Sequence, residues 1–146
     1  MQKPKVKLSL DEIFSKVQDV RAMKDRVAVL QENDCYALRL VLQGNFNDWV
    51  QFDLPEGEPP YKQDTNVPDR SAGRIDKNIK ILKRLLKGST MNKVKKELRF
   101  VQLLESVNTN DAKIIIAMKD KKLQKLFPAI TPALVNKAFP GIIKDK

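Results

Sequence analysis

Apolar residues return every three or four positions along most of this chain, and one long stretch interrupts them. Leu10, Ile13, Phe14 and Val17 share a helical face. Ahead of them, Ser9-Leu10-Asp11-Glu12 places a hydroxyl where a helix begins and a carboxylate three residues on, a pairing that satisfies two orphan amides reciprocally. The spacing predicts a first helix near 10–20. A second is expected at about 22–32, with Met23, Val27 and Leu30 on one face. A third is expected at 35–43, opened by Asn33 or Asp34 and carrying Ala37, Leu38, Val41 and Leu42. Gly44 stands where a helix-ending glycine belongs. Trp49-Val50-Gln51-Phe52-Asp53-Leu54 alternates apolar and polar residues, which suits one short strand without an evident partner.

Residues 55–73 break the rhythm. Pro55, Gly57, Pro59, Pro60, Pro68 and Gly73 oppose both helix and sheet, so an irregular loop of about 18 residues is expected. Such loops are uncommon in small domains and usually carry function. Beyond it, Ile75, Ile79, Leu82 and Leu86 form one stripe and Lys77, Lys80, Arg84 and Lys87 another, ended by Gly88. Ser89 or Thr90 is expected to open a helix running to about Val107. In it Val94, Leu98, Val101 and Leu104 face inward, with Lys95, Arg99 and Gln102 elsewhere. Asn108-Thr109-Asn110-Asp111 reads as a polar turn in which Asp111 caps a helix reaching Lys119. Thr131-Pro132 opens a final helix, through a hydroxyl cap and a proline in the first helical position, and Pro140-Gly141 stops it.

The fold class expected is therefore mostly α: about seven short helices in a compact bundle, with one Pro-rich irregular loop and room for one short strand. Residues 1–146 read as a single helical domain. The alternative is two lobes, 1–54 and 74–146, joined by the loop at 55–73.

Composition narrows the class. Hydrophobic residues at 42% suffice for a core, and only five glycines favour helices over a β-sandwich. No run reaches ~18 apolar residues, so no membrane partner is expected. Met1-Gln2-Lys3-Pro4-Lys5 leads into no apolar segment of the kind secretion requires. The lone Cys35 reads as a small core residue in the middle of a helix. With no histidine present, a zinc site is not expected and a reducing cytoplasm is the natural compartment.

Charge changes the picture most. Residues 1–70 hold ten Lys/Arg against twelve Asp/Glu, a sum of −2, whereas residues 71–146 hold eighteen against six, a sum of +12. Clustered cations suit a phosphate backbone, because each neutralised phosphate releases condensed counterions. Amphipathic helices that bury their apolar stripes should force these cations outward. An acidic protein partner is the other reading of the same asymmetry.

Catalytic constellations are missing from the sequence. Without histidine there is no Ser-His-Asp or Cys-His arrangement, and glycines at 44, 57, 73, 88 and 141 lie too far apart for a phosphate-cradling loop. Glu56 and Glu58 read as a solvated turn, and the spacing of Asp64 and Asp69 does not single out a magnesium site with them. No enzyme, cofactor or metal is expected.

Two resemblances follow from motifs. Leu54-Pro55-Glu56-Gly57-Glu58-Pro59-Pro60-Tyr61, the segment 96–122 and the segment 130–143 resemble an uncharacterised family of small proteins of T4-like tailed phages. This implies a phage origin and expression in a bacterial host. More distantly, the order of elements resembles the all-helical N-terminal DNA-binding domain of phage-type ATP-dependent DNA ligases. The shared features are the helix begun at Asn33-Asp34, the Arg99-to-Asp111 segment and the closing Val135-Asn136-Lys137-Ala138-Phe139-Pro140-Gly141-Ile142-Ile143. The ligase adenylation motif Lys-x-Asp-Gly is missing, and Asn108-Thr109-Asn110 replaces a turn that holds glycine in the ligases. The likeness implies a free-standing DNA-binding module.

The function expected is non-catalytic binding of duplex DNA through its backbone. Lys93, Lys95, Lys96, Arg99, Lys113, Lys119, Lys121, Lys122 and Lys137 would meet phosphates, with Asn108, Thr109, Asn110 and Asn136 as polar helpers. Helix N-termini at Thr90, Asn110 and Thr131 would add amide donors. Aromatic residues are too scarce in the basic half for a single-strand stacking platform. The alternatives are a protein–protein adaptor docking through Leu54, Pro55, Glu56, Pro59, Pro60 and Tyr61, and a virion structural component. Partners would then be DNA or a phage replication or virion protein, in the host cytoplasm or the virion.

Overall fold

A computed structural model describes residues 8–62, 75 and 77–144. Among these, helices run over Leu10–Asp19 (α1), Met23–Glu32 (α2), Tyr36–Phe46 (α3), Lys93–Glu105 (α4), Thr109–Lys119 (α5), Leu123–Leu126 (α6) and Pro132–Ala138 (α7). A 3-10 helix spans Ile79–Arg84. The fold is mostly α.

α5 is the hub, packed against α1, α3, α4 and α6, while α2 lies against α1 and α7. Its centre reads Ile114-Ile115-Ile116, all buried, as a helix surrounded by other helices requires. The apolar core joins Leu10, Ile13, Phe14 and Val17 of α1 with Leu38 and Leu42 of α3, Phe100 and Leu104 of α4, and Leu134 and Val135 of α7. The near-neutral front of the sequence and its basic rear thus interleave in one core.

Several local signals act as expected. Ser9 Oγ accepts from Glu12 N while Glu12 Oε1 accepts from Ser9 N, at 3.2 and 3.1 Å. Thr131 caps α7 by accepting from Leu134 N. Gly141 takes the left-handed φ of +87° that follows the last helix.

Elsewhere tertiary contacts overrule the local pattern. α3 continues through Gly44 to Phe46 instead of ending there, because α5 crosses so closely that a Cβ on Gly44 would lie 2.5 Å from Met118 Sδ. Cys35 is the residue before α3, half-buried, not a mid-helix core position, and Asp34 pairs with Arg39 instead of capping. The stretch around Phe52 finds a partner after all. It makes an isolated antiparallel bridge with Leu86, through Asp53 N to Leu85 O and Lys87 N to Gln51 O. That pairing turns Leu85 into the core and leaves Leu86 half-buried. The helix expected to start at Ser89 or Thr90 begins at Lys93, capped by Asn92, and Asn108, not Asp111, caps α5.

The largest revision concerns the facing of α4. Its inward stripe is Lys96, Phe100, Leu103 and Leu104, not the predicted Val94, Leu98, Val101 and Leu104. Val94 and Leu98 face outward, at 77% and 54% exposure. Of the expected loop at 55–73, residues 63–73 lie outside the described residues, as do Asp64 and Asp69.

Candidate functional site

The cations of the basic half divide into two sets. The first set fastens the fold: Lys96, Lys119 and Lys121 are turned inward, which removes them from the predicted phosphate role, while Lys122 stays exposed and is tied to the loop. Lys96 is 2% exposed; its Nζ donates to Asp53 Oδ2 at 2.9 Å and to Leu86 O at 3.1 Å. The Lys96 hydrogen bond, more than burial opposes it, holds the Asp53 carboxyl below its ordinary range, with Lys93 and Lys87 adding their field. Lys119 Nζ, also buried, donates to Pro55 O at 2.7 Å and to Asp120 Oδ1 at 2.6 Å. Lys121 takes a left-handed φ of +59° and aims its ammonium at the end of α3. There it donates to the carbonyls of Gly44, Asn47 and Val50 at 2.6, 3.0 and 2.7 Å. A cation suits unpaired carbonyls at a helix C-terminus. Burial lowers the Lys121 pKa, opposed by Asp48. Lys122 pairs with Glu56 at 3.0 Å.

The lysines at 119 and 122 therefore strap down the proline-rich loop. Two further bonds complete the strap: Gly57 N donates to Asp120 Oδ2, and Lys62 N donates to Glu105 Oε2. Between this loop and α4 lies an apolar cleft of about 450 Å³. Leu54, Pro55, Glu56, Pro59 and Pro60, all named as docking residues by the sequence, line it. Tyr61 instead packs half-buried against the core, where burial raises its pKa.

The second set of cations faces solvent. Lys77, Lys80, Lys83, Arg84, Lys87, Lys93, Lys95 and Arg99 are all exposed. They stand on two elements packed side by side, the 3-10 helix with its flanks and the first half of α4. Arg84, Met91 and Lys95 are shared by two adjoining grooves of about 560 and 340 Å³, and Arg99 extends the second. Ser89, Thr90 and Asn92 line one stretch and Asn78, Gln102 and Ser106 the other. Among the described residues Arg84, Lys95 and Arg99 pair with no carboxylate; Arg99 donates to Gln102 Oε1 at 3.1 Å. Lys80 and Lys83 lie over the Tyr36 ring at 5.6 and 5.3 Å.

Of the predicted phosphate ligands, the groove assembles Lys95 and Arg99, with Lys93 exposed on the same helix. Sequence reasoning left out Arg84, although its place in the basic stripe at 77–87 was the available signal. Lys113, Asn136 and Lys137 are exposed on α5 and α7 but do not line the groove. Asn108 is occupied as the α5 cap, and the Thr109 hydroxyl is enclosed. Asn110 is exposed, but it follows the true cap and does not start the helix.

The family of unknown function DUF6433 matches residues 13–125. The chain belongs to this family. The DUF6433 region contains both the cationic groove and the apolar cleft, and the closing motif at 135–143 falls outside it. Neither the curated proteins nor the solved structures include a match to the chain. Among the described residues no group of three or more Cys, Asp or Glu side chains is placed to hold a metal ion. No helix among them is long and apolar enough to cross a membrane.

Proposed function

We propose that the groove between the 3-10 helix and α4 binds the phosphate backbone of nucleic acid, duplex DNA foremost, and that the protein does no chemistry on it. The observation that carries this reading is the convergence of Arg84, Lys95 and Arg99 on one groove, within a field of eight exposed cations between Lys77 and Arg99. Serine, threonine and asparagine hydroxyls and amides in the walls supply neutral donors suited to phosphate oxygens. No aromatic ring lines either stretch, so unpaired bases have nothing there to stack on, which favours duplex over single strand. The likeness of the sequence to the DNA-binding domain of phage-type ligases points to the same class of ligand. On this reading the protein is a phage DNA-binding protein, acting in the host cytoplasm or carried in the virion.

Titration of a labelled duplex by fluorescence anisotropy tests the proposal. Binding is expected at ~50 mM salt, with affinity falling by about 0.9 log units per tenfold salt for each phosphate contacted. The variant Arg84→Glu/Lys95→Glu/Arg99→Glu should lose at least tenfold in affinity while keeping its helical circular dichroism. Absence of binding by the unaltered protein at low salt would overturn the reading.

A further inference from the structure

α4 presents a second outward face that the groove does not use. Val94 and Leu98 stand one turn apart with Val101 next on the same stripe, and all three open into the cleft beneath the strapped loop. Val94, at 77% exposure, is the most exposed large hydrophobic side chain among the described residues. The only cation among the described residues of the cleft wall, Lys119, has its ammonium buried against Pro55 O and Asp120. What remains charged in the wall is acidic: Glu56, Glu58 and Glu97. Glu56 keeps 76% side-chain exposure even while bonded to Lys122. The exposed charge bordering this apolar lining is thus carboxylate, in a chain of net charge +10.

We propose that this cleft docks a peptide segment of another protein, an amphipathic helix with apolar residues one turn apart and lysine or arginine beside them. The apolar stripe runs along two turns of the helix within the cleft, a shape that fits an elongated ligand better than an enclosed small molecule. Four polar contacts hold the loop, so the cleft is preformed and ordering it costs little on binding. A second copy of this chain fits poorly. A two-fold contact centred on the cleft would bring the acidic rims of both copies together. Nucleic acid is repelled by the same groups. The stripes of Val94/Leu98 and Lys95/Arg99 are one residue, about 100°, apart around α4, so the two sites use different sides of the helix.

Selection of a random dodecapeptide library on the full-length protein tests this. Enriched peptides should carry aliphatic or aromatic residues at i and i+3 or i+4, together with Lys or Arg. They should bind Val94→Glu/Leu98→Glu at least tenfold more weakly, and Glu58→Lys/Glu97→Lys likewise. All four side chains lie outside the core, so circular dichroism and urea midpoints should change little. Binding should persist in Arg84→Glu/Lys95→Glu/Arg99→Glu, which separates this site from the groove. The proposal is overturned by a library that yields no enriched peptide, by acidic or uncharged consensus sequences, or by peptides indifferent to Leu98. Self-association in sedimentation that disappears in Val94→Glu/Leu98→Glu would also overturn it, by making the occupant a second copy.

Discussion

Lys95 and Lys96 adjoin in sequence and lie in opposite environments. Lys96 Nζ is sealed against Asp53 and Leu86 O, whereas Lys95 opens into the groove. Lys96→Ala should therefore cost about 2 kcal/mol or more in urea unfolding, by leaving a cavity where the buried side chain stood. Its effect on duplex affinity should stay within about twofold. Lys95→Ala should do the reverse: stability within about 0.5 kcal/mol, but a salt slope lower by about one. No signal near residue 96 tells the two lysines apart, because the deciding carboxylate is 43 residues away. The capping pair at Ser9 and Glu12 was legible because both partners lie within one turn. A further residue acts through pH. Asp111 is 1% exposed and accepts from Asp11 N at 2.9 Å, across from the start of α1. Burial, with Asp11 and Glu12 adding repulsion, raises its pKa to about 6. The folded state therefore holds this proton more tightly than the unfolded chain. The associated stability is fully present below about pH 4 and is lost as pH rises through about 6. The shift corresponds to roughly 3 kcal/mol. Asp111→Asn, which keeps the acceptor without the charge, should remove this decline, seen as the difference between wild-type and variant urea midpoints from pH 4 to pH 7. Parallel profiles would contradict it.

At the scale of elements, periodicity marked where helices lie better than which face they bury. α4 shows why: its sequence carries a purely aliphatic stripe at Val94, Leu98 and Val101 and a mixed one at Lys96, Phe100 and Leu103. Pattern alone favours the first, yet the second is inside, because Asp53 and Leu86 O satisfy the lysine that interrupts it. The exposed aliphatic stripe was consequently not legible, although the loop residues across the cleft from it were. Gly44 misled for a related reason. Glycine in a helix interior costs roughly 1 kcal/mol relative to alanine and normally marks an end. Here it admits Met118 of α5, with the Phe52 ring 3.5 Å from where a Cβ would stand. Gly44→Val should lower stability by about 1–3 kcal/mol, measured by urea unfolding, as α3 and α5 are forced apart. No change would show that the two helices adjust freely.

For the whole molecule, the sequence revealed a basic half but not its partition. The excess of +12 beyond residue 70 includes Lys96, Lys119 and Lys121, held inside, and Lys122, held on the loop. The outward remainder concentrates along the 3-10 helix and α4, with Lys113, Lys125 and Lys137 exposed elsewhere. Net charge alone would attract DNA weakly from any side, whereas a localised groove makes affinity depend on which cations are removed. The direct measurement compares two variants of equal net charge, Arg84→Gln/Lys95→Gln/Arg99→Gln and Lys113→Gln/Lys125→Gln/Lys137→Gln, for duplex affinity at one salt concentration. A groove interface predicts at least a tenfold loss for the first and a change within about threefold for the second. Equal losses in the two would contradict it.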